Sequence, residues 1–472
     1  MRPQAAKGRP STTMRADYIR PYHLIFRRDG LWAARHVGRD HRARRSETKR
    51  RAESSRPTKY EENDTMIKEI SGGVCAARGF QAAGVHCGVK ADSSPEKNDL
   101  ALILSERECA AAGVYTLNRV KAAPIYVTMD HLENGVAWGI VANSGNANAC
   151  CPMSHENAEA MCLFAAQATG REAEDFIVAS TGVIGQTINI QAIQTGLPKA
   201  AAALSRDGSD AAAKAIMTTD TVKKEIAVSF TVGGKEARLG AVAKGSGMIH
   251  PNMGTMLAFL TTDCAITQDM LEDALREVTA KTFNRVTVDG DTSTNDTAVV
   301  LANGMAGNGL IEWKDEDYET FKSALDYVCR RLSRAIAGDG EGASKLVTCK
   351  MTGARSEESA ERLAKAVVAS ALVKAAMFGA DANWGRVLCA MGYSKAPFRP
   401  EHVDISFESE AGSILVCRQG DGLAFDEDKA KEVLSQTEVV IAVNLNEGED
   451  EAECWGCDLT YEYVKINGDY RT

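Results

Sequence analysis

Residues 244–263 read KGSGMIHPNMGTMLAFLTTD and set a Gly- and Pro-rich loop directly against an apolar run that begins at Met256. Thr255 stands at the junction, immediately after Gly254. A threonine hydroxyl is a poor nucleophile without a base in hydrogen-bond reach, and no His-based relay is apparent beside this one. If the Gly254–Thr255 bond is cut, Thr255 becomes a chain terminus and its own α-amine accepts the hydroxyl proton. Such an amine titrates at about 7.7–8.0, close to working pH. Gly254, with no Cβ, lets the hydroxyl approach the preceding carbonyl. Taken as an isolated pair, Gly254 and Thr255 read equally as a plain loop-to-strand or loop-to-helix junction.

Composition narrows the setting. With 472 residues, 44% of them hydrophobic, the chain can bury one large core or two smaller ones. Its net charge of −9 is unevenly spread: residues 1–65 hold 17 Lys and Arg against 8 Asp and Glu, a net of +9, which leaves −18 for 66–472. A body that acidic is a poor partner for nucleic acid or an anionic membrane. The Arg-rich tract RRDGLWAARHVGRDHRARRSETKRR (27–51) has no sustained period. It reads as a basic arm, as a targeting segment, or as a start assigned too early, with Met66 opening the protein; the abrupt change at Met66-Ile67-Lys68 favours the last. An odd set of 13 cysteines in a large chain fits reduced thiols in the cytoplasm. No apolar run approaches the roughly 18 residues of a membrane span.

Strand-like and helix-like patterns alternate, which predicts a mixed α/β protein. Strands are expected at 136–142, 176–180, 226–232, 297–302, 403–407, 437–444 and 459–466. Helices are expected at 156–169 before Gly170, at 268–280 after Thr267, and at 315–337, where Tyr318, Phe321, Leu325, Val328, Leu332 and Ile336 form one stripe ended by a Gly338 C-cap. Another should run over 357–378, N-capped by Ser356. A smaller C-terminal lobe is expected from about 346 to 472, after the GDGEGAS loop.

Several clusters invite chemistry. Ser180-Thr181-Gly182-Val183-Ile184-Gly185 reads as a strand-ending turn, and its Thr hydroxyl and Gly N–H are also suited to hold a developing oxyanion. Met217-Thr218-Thr219-Asp220-Thr221 reads as a helix-ending polar turn. The loop Gly338–Lys345 fails the phosphate-loop pattern, and Glu341 within it suits a cationic amine better than a phosphate. Asp289-Gly-Asp-Thr-Ser-Thr-Asn-Asp296 fails the EF-hand pattern because its sixth residue is Thr294 and its twelfth Val300, so it reads as an Asx-rich turn. Cys454-Trp-Gly-Cys457 has redox-motif spacing but is followed by a strand-like run, not a helix. No metal-ligand set emerges.

The run 244–263, together with GFQAAGVHCGVK (79–90), DLALI (99–103), AAGVYTLNRVKAAPI (111–125), NSGNANAC (143–150) and WGCDLTYEYVKINGDYRT (455–472), closely resembles the ornithine acetyltransferase (ArgJ) family of arginine biosynthesis. The likeness covers about 66–472. It implies a precursor that cuts itself before Thr255, giving chains 66–254 and 255–472 that stay associated in a layered α-β-β-α sandwich, as a heterotetramer of two of each. Family members usually have Ala before the nucleophile, and Gly254 departs from that. The resemblance implies Thr255 as nucleophile, Thr181 and Gly182 as oxyanion hole, and Thr218, Lys244, Thr255, Glu341, Asn467 and Thr472 as substrate contacts. It also implies ping-pong acetyl transfer from N²-acetylornithine to glutamate without metal or organic cofactor. Some members also take acetyl-CoA as donor, and His250 before Pro251 resembles those. The rival readings are an N-terminal-nucleophile aminopeptidase of related fold, which would hydrolyse its acyl-enzyme, and a basic-arm nucleic-acid binder resting on residues 1–65 alone.

Overall fold

Leu100–Tyr115 is a single sixteen-residue strand that changes partners halfway along. Along one edge Leu100–Ser105 pair antiparallel with Phe80–Val85 and Ala110–Tyr115 with Thr297–Ala302, while Val136–Asn143 follows the other edge, pairing antiparallel with Leu100–Leu104 and again with Cys109 and Ala110. A register irregularity between Leu104 and Cys109 separates the halves, and such an irregularity bends a strand and raises its twist. The computed structural model describes residues 67–90, 94–250 and 256–469. The basic extension 1–65 and Met66, and also Gly254, Thr255 and Thr472, lie outside the described residues.

Around that bent strand a nine-stranded sheet is assembled. Its order is Lys68–Ile70, Lys224–Val232, Lys235–Lys244, Leu257–Thr262, Thr297–Ala302, Leu100–Tyr115, Val136–Asn143 and Phe176–Ser180, with Phe80–Val85 also paired to Leu100–Tyr115. Side-chain alternation shows that the sheet is folded over on itself. Leu257, Phe259, Val299 and Leu301 share one buried cluster with Ala101, Ile103, Ile140, Ala142, Ile177 and Ala179. The intervening residues point outward to helices. Ala258, Leu260, Ala298 and Val300 pack with helices Gln268–Lys281 and Glu316–Gly338, while Leu100, Leu102, Val141, Phe176 and Val178 pack with Ser154–Thr169 and Ile190–Ala202. Strands buried on both faces read as continuous apolar runs, as 257–260 does. The helix–sheet–sheet–helix order is therefore the one expected, except that its two sheet layers are one continuous sheet.

Downstream, a six-stranded sheet has the order Asp421–Gly422, Gly412–Arg418, Asp404–Ser409, Glu438–Asn444, Leu346–Ala354, Asp450–Cys457. It carries its own core, with Met351, Leu363, Val367, Phe407 and Ile441. Cys454 faces that core, but Trp455 and Cys457 face the core of the first sheet. The two cysteines of the CxxC spacing thus belong to different cores, as residues three apart on a strand must.

Most elements fall where the sequence places them; three differ. Residues 459–466 are not a strand: the sheet ends at Cys457, and Tyr461–Asp469 form a helix. Thr460 starts it, its hydroxyl donating to Gly342 O (2.6 Å) and accepting from Glu462 N (3.2 Å). The helix Glu316–Gly338 runs through Gly338 and is capped at Asp339, whose carboxylate is claimed by Lys224 and Thr221. The expected helix 357–378 breaks into Glu357–Ala369 and Ala371–Phe378, because Ser370 turns extended and caps the second through Val373 N. Ser356 caps the first through Ser359 N (3.2 Å), as expected.

Candidate active site

Five strand termini converge at one end of the folded sheet. Parallel strands Val136–Asn143 and Phe176–Ser180 finish side by side, with Asn143 opposite Ser180. Antiparallel pairing sets Lys244, the last residue of its strand, opposite Leu257, the first of the next. Leu257 in turn pairs with Thr297, and Thr297 N donates to Met256 O (2.9 Å). Met256, next in sequence after Thr255, is buried here. Thr181, Lys244, Gly247, Met256, Leu257, Ser293, Asn295 and Asp296 line one narrow cleft.

Thr181 and Gly182 follow the strand as expected, and asparagine side chains knit their turn. Asn295 Nδ2 donates to Ser180 O (2.8 Å) and Ala147 O (2.7 Å); Asn146 Nδ2 donates to Gln186 O (3.1 Å). Thr181 N donates to Asn143 O (3.0 Å). Gly182 has φ +133°, and a Cβ there would sit 2.4 Å from Gly145 C and 2.5 Å from Asn146 N. Only glycine fits, because both obstacles are backbone. The sequence alone does not single out these asparagines, although Asn146 lies in NSGNANAC and Asn295 in the Asx-rich run 289–296.

Lys244 is buried (7% exposed), and its Nζ lies 3.2 Å from Thr181 Oγ1. A hydroxyl that accepts from an ammonium keeps its own proton to donate elsewhere, which is the orientation a developing oxyanion requires. Burial pushes the Lys244 ammonium below its usual range, and Asp220 opposes that push. Asp220 itself is pushed up by burial, but Lys244 and Lys224 outweigh this and hold its carboxyl at about 2.

Glu341 and Asn467 meet directly, Asn467 Nδ2 donating to Glu341 Oε2 (2.7 Å). The Glu341 carboxylate lies against Gly247, where a Cβ would come within 2.3 Å of its Cδ. Its backbone N donates to Ser246 O (3.0 Å), so the GDGEGAS loop is fastened to the segment just after Lys244. Thr218 is half-buried in the Met217–Asp220 turn and reaches this region through Asp220 Oδ2, which accepts its N–H (3.1 Å). Asp289 accepts the N–H groups of Met248 (2.6 Å) and Ile249 (2.9 Å), anchoring the chain ahead of residue 250. His250 Nδ1 lies 3.0 Å from Thr287 Oγ1, and burial, with help from Lys365, lowers its pKa to about 4. Among the described residues no group of three or more His, Cys, Asp and Glu is placed to hold a metal, and no helix is long and apolar enough to cross a membrane.

The arrangement can bind a carboxylate near one buried ammonium, an amine near one carboxylate, and an oxyanion at the Thr181 hydroxyl beside that ammonium. Comparison with known proteins places the chain among relatives. The model of the ArgJ family matches residues 81–472. The arginine biosynthesis bifunctional protein ArgJ 1 of Clostridium acetobutylicum is 50% identical over 394 residues, 83% of this chain and 96% of that protein. The ArgJ protein of Symbiobacterium thermophilum is 51% identical over 404 residues, 85% of this chain and 99% of its own length. Among solved structures, ArgJ of Bacillus halodurans is 45% identical, covering 45% of this chain and 98% of that one, with a TM-score of 0.43. Ornithine acetyltransferase of Mycobacterium tuberculosis, solved with ornithine, is 38% identical over 39% of this chain and 98% of its own, with a TM-score of 0.36.

Proposed function

This chain belongs to the ArgJ family, and from that premise we propose that it is the glutamate N-acetyltransferase of arginine biosynthesis, working through an acetyl-enzyme on Thr255. The observation that carries the proposal is the 3.2 Å approach of buried Lys244 Nζ to Thr181 Oγ1, in the cleft that Met256 also lines. The precursor cuts itself between Gly254 and Thr255. The freed α-amine then takes the hydroxyl proton as Thr255 Oγ attacks the acetyl carbonyl of N²-acetylornithine. The tetrahedral oxyanion is held by the Thr181 hydroxyl and the Gly182 N–H; one such donor typically contributes about 2.7–4 kcal/mol. Ornithine leaves with the proton, and the α-amine of glutamate attacks the ester to release N-acetylglutamate and restore Thr255.

Lys244 meets a substrate carboxylate and Glu341 a substrate amine, with Thr218, Asn467 and Thr472 completing the binding site. The chemistry needs neither metal nor organic cofactor, since hydroxyl, amine and oxyanion donors all come from the chain. Acetyl-CoA is a second candidate donor, and the working assembly is a cytoplasmic heterotetramer of two chains ending at Gly254 and two beginning at Thr255. Mass spectrometry tests the core of this. The purified protein should give two chains, the second beginning at Thr255 and gaining one acetyl group on brief exposure to acetylornithine. Thr255→Ala should remain uncut and inactive; an intact, active wild-type chain would refute the mechanism. Acetate release equal to ornithine release under saturating glutamate would instead favour the hydrolytic rival.

A further inference from the structure

Beneath the segments that carry Thr218, Lys244 and Glu341 lies a buried group of charges that the chemistry above does not use. The Lys224 side chain is fully buried, with its Nζ 2.7 Å from Asp220 Oδ1 and 2.6 Å from Asp339 Oδ2. Its remaining donor faces Val222 O at 3.3 Å, so the ammonium is fully engaged and has nothing left for a ligand.

Each carboxylate reaches onward into the backbone. Asp220 Oδ1 accepts Gly245 N–H (2.8 Å) and Oδ2 accepts Thr218 N–H (3.1 Å). Asp339 accepts the N–H groups of Thr221 (3.1 Å) and Val222 (3.3 Å) and the Thr221 hydroxyl. The Asp339 carbonyl takes the Ser246 hydroxyl (2.8 Å), and Ser246 O takes Glu341 N–H (3.0 Å). One ammonium thus links, through a single carboxylate in each direction, the Thr218 turn, the backbone just past Lys244, and the loop that presents Glu341.

We propose that Lys224, with Asp220 and Asp339, is a positioning unit that fixes the distance between the carboxylate-binding and amine-binding groups of the substrate site. The proposal rests on the assignment of Thr218, Lys244 and Glu341 to substrate binding. Stability alone does not account for such a cluster, since well-packed apolar residues often replace buried ion pairs at no loss. Geometry does account for it. Acetylornithine and glutamate must each be held with both ends of a short, flexible chain in place, and a misplacement of about 1 Å at a binding group can cost about a hundredfold in rate. A charged staple with three backbone destinations holds the separation of those groups more tightly than flexible loops could.

The test uses the full chain and two classes of acetyl donor. Lys224→Met keeps the stem and removes the charge. It should raise KM for acetylornithine and for glutamate by about tenfold or more, which reports lost substrate binding. Acetylation by p-nitrophenyl acetate, a neutral ester with neither charged handle, should stay within about threefold of wild type, because the nucleophile and oxyanion donors are untouched. Lys224→Arg should recover part of the loss in KM. Ser246→Ala cuts one link of the chain without stranding a charge, and should raise KM for both amino acids by about threefold; it decides the matter if Lys224→Met does not fold. Equal losses with ester and amino-acid substrates, or unchanged KM in Ser246→Ala, would overturn the positioning role. A wild-type enzyme that reacts with the ester but never passes acetyl from acetylornithine to glutamate would overturn the underlying reading, and this proposal with it.

Discussion

Gly182→Ala isolates the contribution of the turn between Ser180 and Val183. The new Cβ would stand 2.4 Å from Gly145 C and 2.5 Å from Asn146 N, whereas nonbonded carbons rest at about 3.5–4.0 Å. The turn must therefore move by about 1 Å, because neither obstacle is a side chain that can rotate away. Moving it breaks into the bonds Ala147 N to Val183 O (2.9 Å) and Val183 N to Gly145 O (3.4 Å). A φ of +133° adds strain, of order 1–3 kcal/mol for a residue with a side chain. Displacing the proposed oxyanion donor by that much should lower kcat about a hundredfold, or roughly 2.7 kcal/mol of barrier. The measurement is kcat for acetyl transfer alongside the rate of chain cutting, with Gly185→Ala as control. Gly185 has φ +80° but nothing within 4 Å of an added Cβ, so its variant carries backbone strain without displacement and should keep kcat within about threefold. A Gly182→Ala enzyme as active as the Gly185→Ala control would refute the reasoning.

Three further outcomes follow from other contacts. Glu341→Gln should raise KM for the amino-acid substrates by about tenfold while leaving chain cutting intact; Gly247→Ala, which crowds the same carboxylate, should do so more weakly, and unchanged kinetics in both would remove Glu341 from the site. Asp220 is held at about 2, below the ordinary 3.8 of a free aspartate, so the folded state binds its proton less readily than the unfolded one. Its stabilisation, about 2 kcal/mol, is complete above pH 3.8 and disappears as pH falls through 2; Asp220→Asn should flatten that part of the acid-unfolding curve, seen by circular dichroism. Protein made from Met66 onward should fold, cut and turn over like the full chain, and a large loss of activity would give the Arg-rich segment a role.

The layers were legible because their strands are short apolar runs punctuated by Gly, Asn and Asp, and the helical stripe from Tyr318 to Ile336 is buried as its spacing requires. Residues 459–466 misled because alternating aromatic and β-branched residues favour a strand, yet the chain has already left the sheet edge at Cys457. Tyr461 and Val464 are 83% and 69% exposed, so no core enforces the pattern. Burial of charge was the harder matter. Lys224 opens a strand and looks like a solvated end; nothing local reveals that Asp339, 115 residues later, will meet it. Gly182 could be flagged as a turn residue, but its need for glycine comes from Gly145 and Asn146 on a separate strand end.

The order of strands in the nine-stranded sheet bears on what happens after the chain is cut. Leu257–Thr262 and Thr297–Ala302, both downstream of residue 254, are paired with each other and flanked by Lys235–Lys244 on one side and Leu100–Tyr115 on the other, both upstream. The two products of cutting would be interleaved like fingers of clasped hands, each holding the other by a backbone ladder on either side. Cutting would then leave no trace in size or shape under native conditions and would show only once the protein is denatured. It would also change the order of the folding reaction: an uncut chain refolds by itself at any dilution, but the clasped pair, once opened, must find its partner, and recovery should fall with protein concentration.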